Sequence, residues 1–364
     1  AIAAAGRYGT VLFPPGRYLV STSGGRALTV GDDVRLAGAG SRSSVLVLSP
    51  GSTGDRLLDV GSSTGVSVQD LGFEGRAGDP SPLSAIHTGT RQNARALRVE
   101  RCAFSSFMPG GTNPLHAAVY VWPTDGVRVR DCEFTDCGRA VALDPGGVGA
   151  EGHAITVFRS RDVRVIGNHC MDSGRGILVS HESFGAVVSD NVCTGNNDAG
   201  IRCEPQISAK DTTVGTGVPR GVTVTGNVCH HNVAFGAVRG ANSGIGITVS
   251  YAAASVVSAN ICHHNSGDGI HCDSDRVTIS ANQCFNNFTG YTSDPVNGRR
   301  AGIRVYVGEG CVITGNQCFD SQQTPTQMYG LSLSSSRTGH VVAANNFEGN
   351  GTAPVFGVEL IRPI

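Results

Sequence analysis

This sequence predicts an all-β fold wound as a parallel β-solenoid of about ten stacked coils, and three observations lead there. The first is a short repeat. Residues 259–275, ANICHHNSGDGIHCDSD, read as one complete turn, and Asn260 returns as Asn282 after 22 residues. That is too few for a helix-containing crossover and enough for one coil. The second is recurrence by position: Asn168, Asn191, Asn227, Asn260, Asn282 and Asn316 are followed two residues on by Cys170, Cys193, Cys229, Cys262, Cys284 and Cys318. Phe73, Phe104, Phe134 and Phe347 hold the same apolar place in earlier and later coils. The third is composition, since 51 glycines and 16% charged residues among 364 suit short strands and tight turns better than helices.

Taken in order, residues 9–21, GTVLFPPGRYLVS, read as strand, Pro-Pro-Gly turn and strand. They resemble the first coil of the pectate-lyase-like right-handed parallel β-helix superfamily, which includes polygalacturonases, polysaccharide lyases, mannuronan epimerases and phage tailspikes. The resemblance implies a right-handed, single-stranded parallel β-helix with a short amphipathic helix closing its N-terminal end. Residues 1–6, AIAAAG, look like the remnant of that cap. One domain over 1–364 follows, with the cap remnant at 1–8, loosely patterned coils over 9–126 and regular coils over 127–364.

The loose coils carry strands near 34–36, 66–68 and 97–99; the regular ones open with alternating strands at 127–129, 163–165, 222–224 and 277–279 and then turn at the asparagine. Stacked side-chain amides can satisfy the backbone groups that such a bend exposes. Asn196, Asn232, Asn265, Asn287 and Asn350 make a second column of this kind. Six of the twelve cysteines fall on the inward repeat position and no CxxC occurs, so buried free thiols are expected rather than disulfides or zinc. The doublets His230-His231 and His263-His264 recur at one turn, with Asn286 and Asp320 in later coils, and read as a solvent-facing ladder rather than a metal site.

After that turn comes the strand opened by Ile86, Val119, Ile155, Ile177, Ile201, Ile247, Ile270, Ile303 and Leu331. Extra length gathers at its borders, in 107–118, 138–153, 205–221, 233–244, 288–301 and 322–329, so loops would wall in a groove along it. With the first residue inward, the second and fourth point out. This puts His87, Tyr120, Trp122, Thr156, Phe158, Leu178 and Ser180 toward one end. Arg202, Glu204, Thr248, Ser250, His271, Asp273, Arg304 and Tyr306 follow toward the other. Flat rings at one end and titratable groups at the other are what a sugar-binding groove needs.

Coils stack ~4.8 Å apart, so the backbones of Glu204 and Asp273, two coils apart with Ser250 between, should stand ~9.6 Å apart. Inverting glycosidases hold their carboxyl pair ~6.5–9.5 Å apart and retaining ones ~5–5.5 Å. The expected function is therefore a glycan-cleaving enzyme, a glycoside hydrolase. Its candidate catalytic residues are Glu204 and Asp273 as acid/base pair, His271 tuning a carboxylate and Arg202 beside them. Arg304 would hold acidic or hydroxyl groups, and Tyr306, Trp122 and Tyr120 would stack on sugar rings. His181 and Glu182 read as a turn or as further members of the site, and Tyr251 as an acid/base or stacking residue. A solvated stripe of ion pairs is the plain alternative for the charged face.

Residues 266–280 resemble the polygalacturonase strand with an Asn-Thr-Asp-Gly-Ile core, which would put Asp268 at a catalytic Asp. The paired Asp-Asp, Gly-His-Gly and Arg-Ile-Lys motifs are absent downstream, so that activity is not assigned. Asp144-Pro145 resembles the Asp-Pro-His of mannuronan epimerases, with Gly146 in place of the His. Uronate elimination or C5-epimerisation is the second reading, with an Arg, His or Tyr base and possible calcium; Arg202, Glu204 and Lys210 permit it. The third is a non-catalytic glycan-binding module such as a tailspike or adhesin. Hydrolysis itself implies no cofactor and no metal.

A net charge of −1 offers no basic field for nucleic acid and no polybasic patch for a membrane. No run approaches the ~18 apolar residues of a span. A glycan is the expected partner; a homotrimer suits the superfamily, although no coiled-coil heptads occur. The start at Ala1 reads as that of a trimmed domain, so the compartment stays open, with an extracellular or virion-associated location expected.

Overall fold

The computed structural model describes residues 2–22, 26–76, 84–89, 94–107, 117–138, 152–205, 217–234, 243–289, 300–333 and 338–357. Each coil gives one short strand to each of three parallel sheets, except that the last reaches the second sheet only through the isolated Gln317–Asn346 bridge. Among the described residues the first sheet holds twelve strands, Thr10–Phe13 to Val341–Ala343; the second eleven, Gly16–Val20 to Gln317–Phe319; the third twelve, Arg26–Thr29 to Ala353–Phe356. Twelve exceeds the ten or so coils expected, because the loosely patterned early coils pair in the same register as the regular ones: Leu36 with Val68, and Val68 with Val99.

Every coil places one apolar side chain per sheet at the same inward position, so the core is a set of columns. In the second sheet the column runs Leu46, Phe73, Phe104, Phe134 and then the six repeat cysteines. Its phenylalanine rings stack nearly parallel at 5.0 and 4.7 Å. All twelve cysteines are free and buried. Burial pushes the Cys137 and Cys203 thiols up to about 12, so they pack as small hydrophobes. At the N-terminal end a single 3-10 turn, Ile2–Ala4, leads into the stack, and Ile2 and Ala5 pack against its core.

The bend from first to second sheet uses a left-handed residue, Asp131, Asp190, Ala259 or Ala281 with φ from 54° to 57°, or a glycine such as Gly226. From Asn168 onward the asparagine after it turns inward and ties coil to coil, while Cys132 takes that place after Asp131 and its N–H donates to Asn168 Oδ1. Asn227 Nδ2 donates to Asn260 Oδ1 at 2.9 Å and to the Val188 carbonyl at 3.0 Å, while Asn227 Oδ1 accepts from Asn191 N and Nδ2 at 3.0 and 2.9 Å. This ladder runs from Asn168 to Asn316 and extends one coil further to Asn345. The second ladder contains the five expected asparagines, with Gln327 bridging Asn287 and Asn350. The histidine doublets also stack: His230 on His263 at 4.9 Å, continuing into Phe285, and His231 on His264 at 5.2 Å. Burial, then the charge of its neighbours, lowers His263 to about 4, so that ring is neutral at neutral pH. Among the described residues no group of three or more His, Cys, Asp or Glu is placed to hold a metal ion. No described helix is long and apolar enough to cross a membrane.

Replacing Asn227 by Ala removes the side-chain acceptor of the buried Asn191 N–H and Nδ2 and the side-chain donor to the Val188 carbonyl, and a buried polar group left unsatisfied costs ~1–3 kcal/mol. Thermal unfolding should show Asn227→Ala far less stable than Asn345→Ala at the ladder's half-buried end. Equal shifts would mean that the amide column does not carry the bend.

Candidate active site

In the third sheet the ladder skips one residue per coil: Arg175 pairs with Ala199 and Ile177 with Ile201, leaving Gly176 and Gly200 outside the register. A methyl on Gly200 would lie 2.8 Å from the Gly246 carbonyl oxygen and 3.0 Å from Cys229 Sγ. The glycine therefore faces the core together with the isoleucine after it. Strict alternation fails at this point, and the residue before the glycine also faces outward.

The outer face then carries three columns, of which alternation from the isoleucine finds two. Arg202, Thr248, His271 and Arg304 are consecutive partners, and Ser250 pairs with Asp273 in the column that also holds Ser180 and Glu204. All four candidate catalytic residues share this face. The third column adds Arg175 and, by place, Asp268, with Asp198 just before it. The face is enclosed, not the open wall that alternation predicts: Thr156, Leu178 and Thr248 are at most 1% exposed. The side chains of Arg202, Glu204 and Asp273 keep 14–15% exposure and form the opening.

Two charge clusters meet there. In one, Arg202 Nη1 donates to Asp198 Oδ2 at 2.7 Å, and Arg175 Nε donates to the same oxygen at 2.5 Å. Glu204 Oε1 lies 2.8 Å from Arg202 Nε and 3.5 Å from Arg175 Nη1. Burial works to raise the Asp198 pKa, but the two guanidinium groups hold it down at about 2. In the other, His271 Nδ1 is 3.1 Å from Asp268 Oδ2 and Nε2 is 3.0 Å from Asp273 Oδ2. Burial opposes a charge on His271, yet Asp273 and Asp268 outweigh it and raise the ring to about 9. An imidazolium thus donates to both carboxylates at neutral pH. Asp273 in turn is held below the usual carboxylate range: burial works against this, and His271, then Arg304 and Arg202, overcome it. Among the described residues its Oδ1 is buried without a hydrogen-bond partner.

The candidate binding residues divide. Tyr120 is 2% exposed, with its ring 4.7 Å from His87 and packed with Phe158, so it lies beneath the surface and supports Trp122 instead of stacking on sugar itself. Trp122 packs on that cluster and keeps part of its ring exposed. Arg304, at 1% exposure, is not an open cation; Nη1 lies 3.9 Å from Asp268 Oδ2 and the guanidinium sits 5.1 Å over the Tyr306 ring. Tyr306 is half-buried, and Tyr251, 48% exposed, occupies the left-handed turn after Ser250. His181 packs 4.1 Å from Phe158 in a left-handed turn with Nδ1 2.9 Å from Ser180 Oγ, and Glu182 makes a surface ion pair with Arg159 at 3.8 Å. Those two are turn residues at the border of the face. Asp144, Pro145, Gly146, Lys210 and most of the bordering insertions lie outside the described residues.

The family described as "Right handed beta helix region" matches residues 85–214. The fold is the right-handed parallel β-helix. A search of curated proteins finds no match. Among solved structures, the chain is similar to the A-module of the Azotobacter vinelandii mannuronan C-5 epimerase AlgE4, with a TM-score of 0.71 at 17% identity over 97% of this chain and 90% of that one. It is also similar to PfbA, a surface adhesin of Streptococcus pneumoniae, with a TM-score of 0.66 at 12% identity over 97% and 87%. A DFA-IIIase from Arthrobacter chlorophenolicus A6 in complex with GF2 gives 0.55 at 13% identity over 93% and 77%. At such identities the likeness is one of fold.

Sequence alternation missed Arg175 and Asp198, while Asp268 entered only through its resemblance to the polygalacturonase strand. The signal was present in the β-helix repeat itself: a small residue before each inward position of this strand from Ile86 to Leu331, alanine at Ala85, Ala118 and Ala154 and glycine from Arg175-Gly176-Ile177 onward, as in Asp268-Gly269-Ile270.

Because the folded pKa of His271 lies above its unfolded value of 6.5, its contribution to stability is complete below pH 6.5 and disappears as the pH rises through about 9. The melting temperature of wild type should fall across that interval more steeply than that of His271→Gln. Parallel curves would mean that the ring is neutral.

Proposed function

We propose that this β-helix binds a glycan along the third sheet and hydrolyses it. The observation that carries the reading is the column Glu204, Ser250, Asp273, in which two carboxylates flank one small residue on successive coils at the opening of an otherwise enclosed face. Their backbones stand ~9.6 Å apart, close to the upper end of an inverting pair and far from a retaining one. Asp273 suits the base: His271 keeps it ionised, and Oδ1 is uncommitted, so it can accept a proton from an attacking water. Glu204 is the proton donor across from it, with Oε2 outside both arginine contacts. Trp122 and Tyr306 supply ring faces on either side. The solved relatives named for mannuronan and for DFA-III chemistry support a carbohydrate ligand.

One observation favours a second reading. Glu204 Oε1 lies between Arg202 and Arg175, and guanidinium contacts of that kind stabilise a carboxylate rather than a carboxylic acid. If that pairing persists with ligand bound, the face holds glycan without cleaving it. Uronate elimination or epimerisation is a third outcome.

A panel of glycans assayed for reducing ends and for ultraviolet-absorbing unsaturated products tests these together. Hydrolysis should release reducing ends without unsaturation and continue in the presence of chelator. Glu204→Gln and Asp273→Asn should each cut turnover at least ~100-fold, the usual weight of an acid or base, with the fold intact. Wild-type rates in both variants, or saturable binding with no product, would discard the hydrolytic reading.

A further inference from the structure

We propose that the outer face of the first sheet carries a second site, an arginine ladder that binds a linear anionic glycan independently of the third sheet. Arg98, Arg128 and Arg164 hold the same outward place on three consecutive coils and are all exposed. Arg98 and Arg128 make no ion pair with any described residue, and Arg164 has only Asp162 at 3.7 Å. The carboxylates nearby are engaged by other arginines: Glu100 with Arg130 at 3.0 Å and Arg101 at 3.7 Å, Asp70 with Arg101 at 2.8 Å. In the adjoining turn Asp125 stands between Arg95 and Arg161.

Like charges directly opposite one another weaken a sheet, so three in a row on a chain of net charge −1 call for an anion. The ladder repeats every ~4.8 Å, the coil rise, which is comparable with the length of one pyranose ring. Guanidinium groups bind carboxylate or sulfate through paired, parallel hydrogen bonds. An extended glycan with one such group on each successive ring matches the ladder step for step. A single-stranded nucleic acid would want aromatic platforms between the cations, and the strands Arg98–Glu100, Arg128–Arg130 and Arg164–Ile166 contain none.

The test uses protein carrying Glu204→Gln and Asp273→Asn, so that turnover cannot consume the probe, with and without Arg98→Ala, Arg128→Ala and Arg164→Ala together. Titration with polygalacturonate should show saturable binding that weakens with salt, while neutral dextran does not bind this face. The triple replacement should lower polygalacturonate affinity about tenfold or more and flatten the salt dependence, with the melting temperature no lower than that of the parent. Arg128→Ala alone should give an intermediate loss, which keeps the result readable if the triple variant folds poorly. Unchanged affinity in the arginine variants, or tighter binding of single-stranded DNA than of polygalacturonate, overturns the proposal. Failure of hydrolysis would appear in the turnover assay of the wild-type chain and leaves this binding result standing.

Discussion

The structure depends on the satisfaction of buried amides where each coil bends. A sheet supplies partners for its own backbone, but the corners between sheets have none, and a solenoid repeats that deficit in every coil. From Asn168 onward the asparagine columns remove it twice per coil. Each Nδ2 caps a carbonyl of the preceding coil and each Oδ1 accepts from it, so the bend is held only when its neighbour is also in place. Stability is thereby shared between adjacent coils, as in other repeat architectures. The same linkage fixes the coil register, which lines up side chains far apart in sequence, such as Glu204 and Asp273.

That alignment explains the electrostatics of the third sheet. Arg175, Arg202, Arg304 and His271 stand among Asp198, Glu204, Asp268 and Asp273, so opposite charges offset one another in a setting where an unpaired charge would be costly. Within the balance the carboxylates are not equivalent. Asp198 and Asp268 lie deepest and serve mainly to hold a guanidinium or an imidazolium. Asp273 is held by one oxygen only and reaches the opening, which makes it the group best placed to meet a ligand.

Much of this was legible in the residues. The Asn-x-Cys recurrence gave the coils, their inward column and both ladders, because a repeating bend demands the same side chain each time. The shared column of Glu204 and Asp273 followed from counting out from Ile201 and Ile270. Three features were hidden for identifiable reasons. Alternation assumes an unbroken strand, and the small residue ahead of each inward isoleucine, glycine from Gly176 onward, breaks it, concealing Arg175. Periodicity also reports which way a side chain points without reporting what lies above it, so Tyr120 and Arg304 read as surface groups although both are covered. Asn345 was missed because its coil carries Phe347 in place of the cysteine that marks the motif.

The 22-residue coil that begins at Asn260 contains three strands, two ladder amides and the core-facing glycine, with almost nothing to spare. Both of its stacking surfaces match those of its neighbours. A tandem duplication of such a segment would create no new kind of interface, only another layer of the existing one. The span of ligand that a lineage of these proteins can accommodate is therefore adjustable in whole-layer increments, through gain or loss of a short stretch of gene and without redesign of the fold.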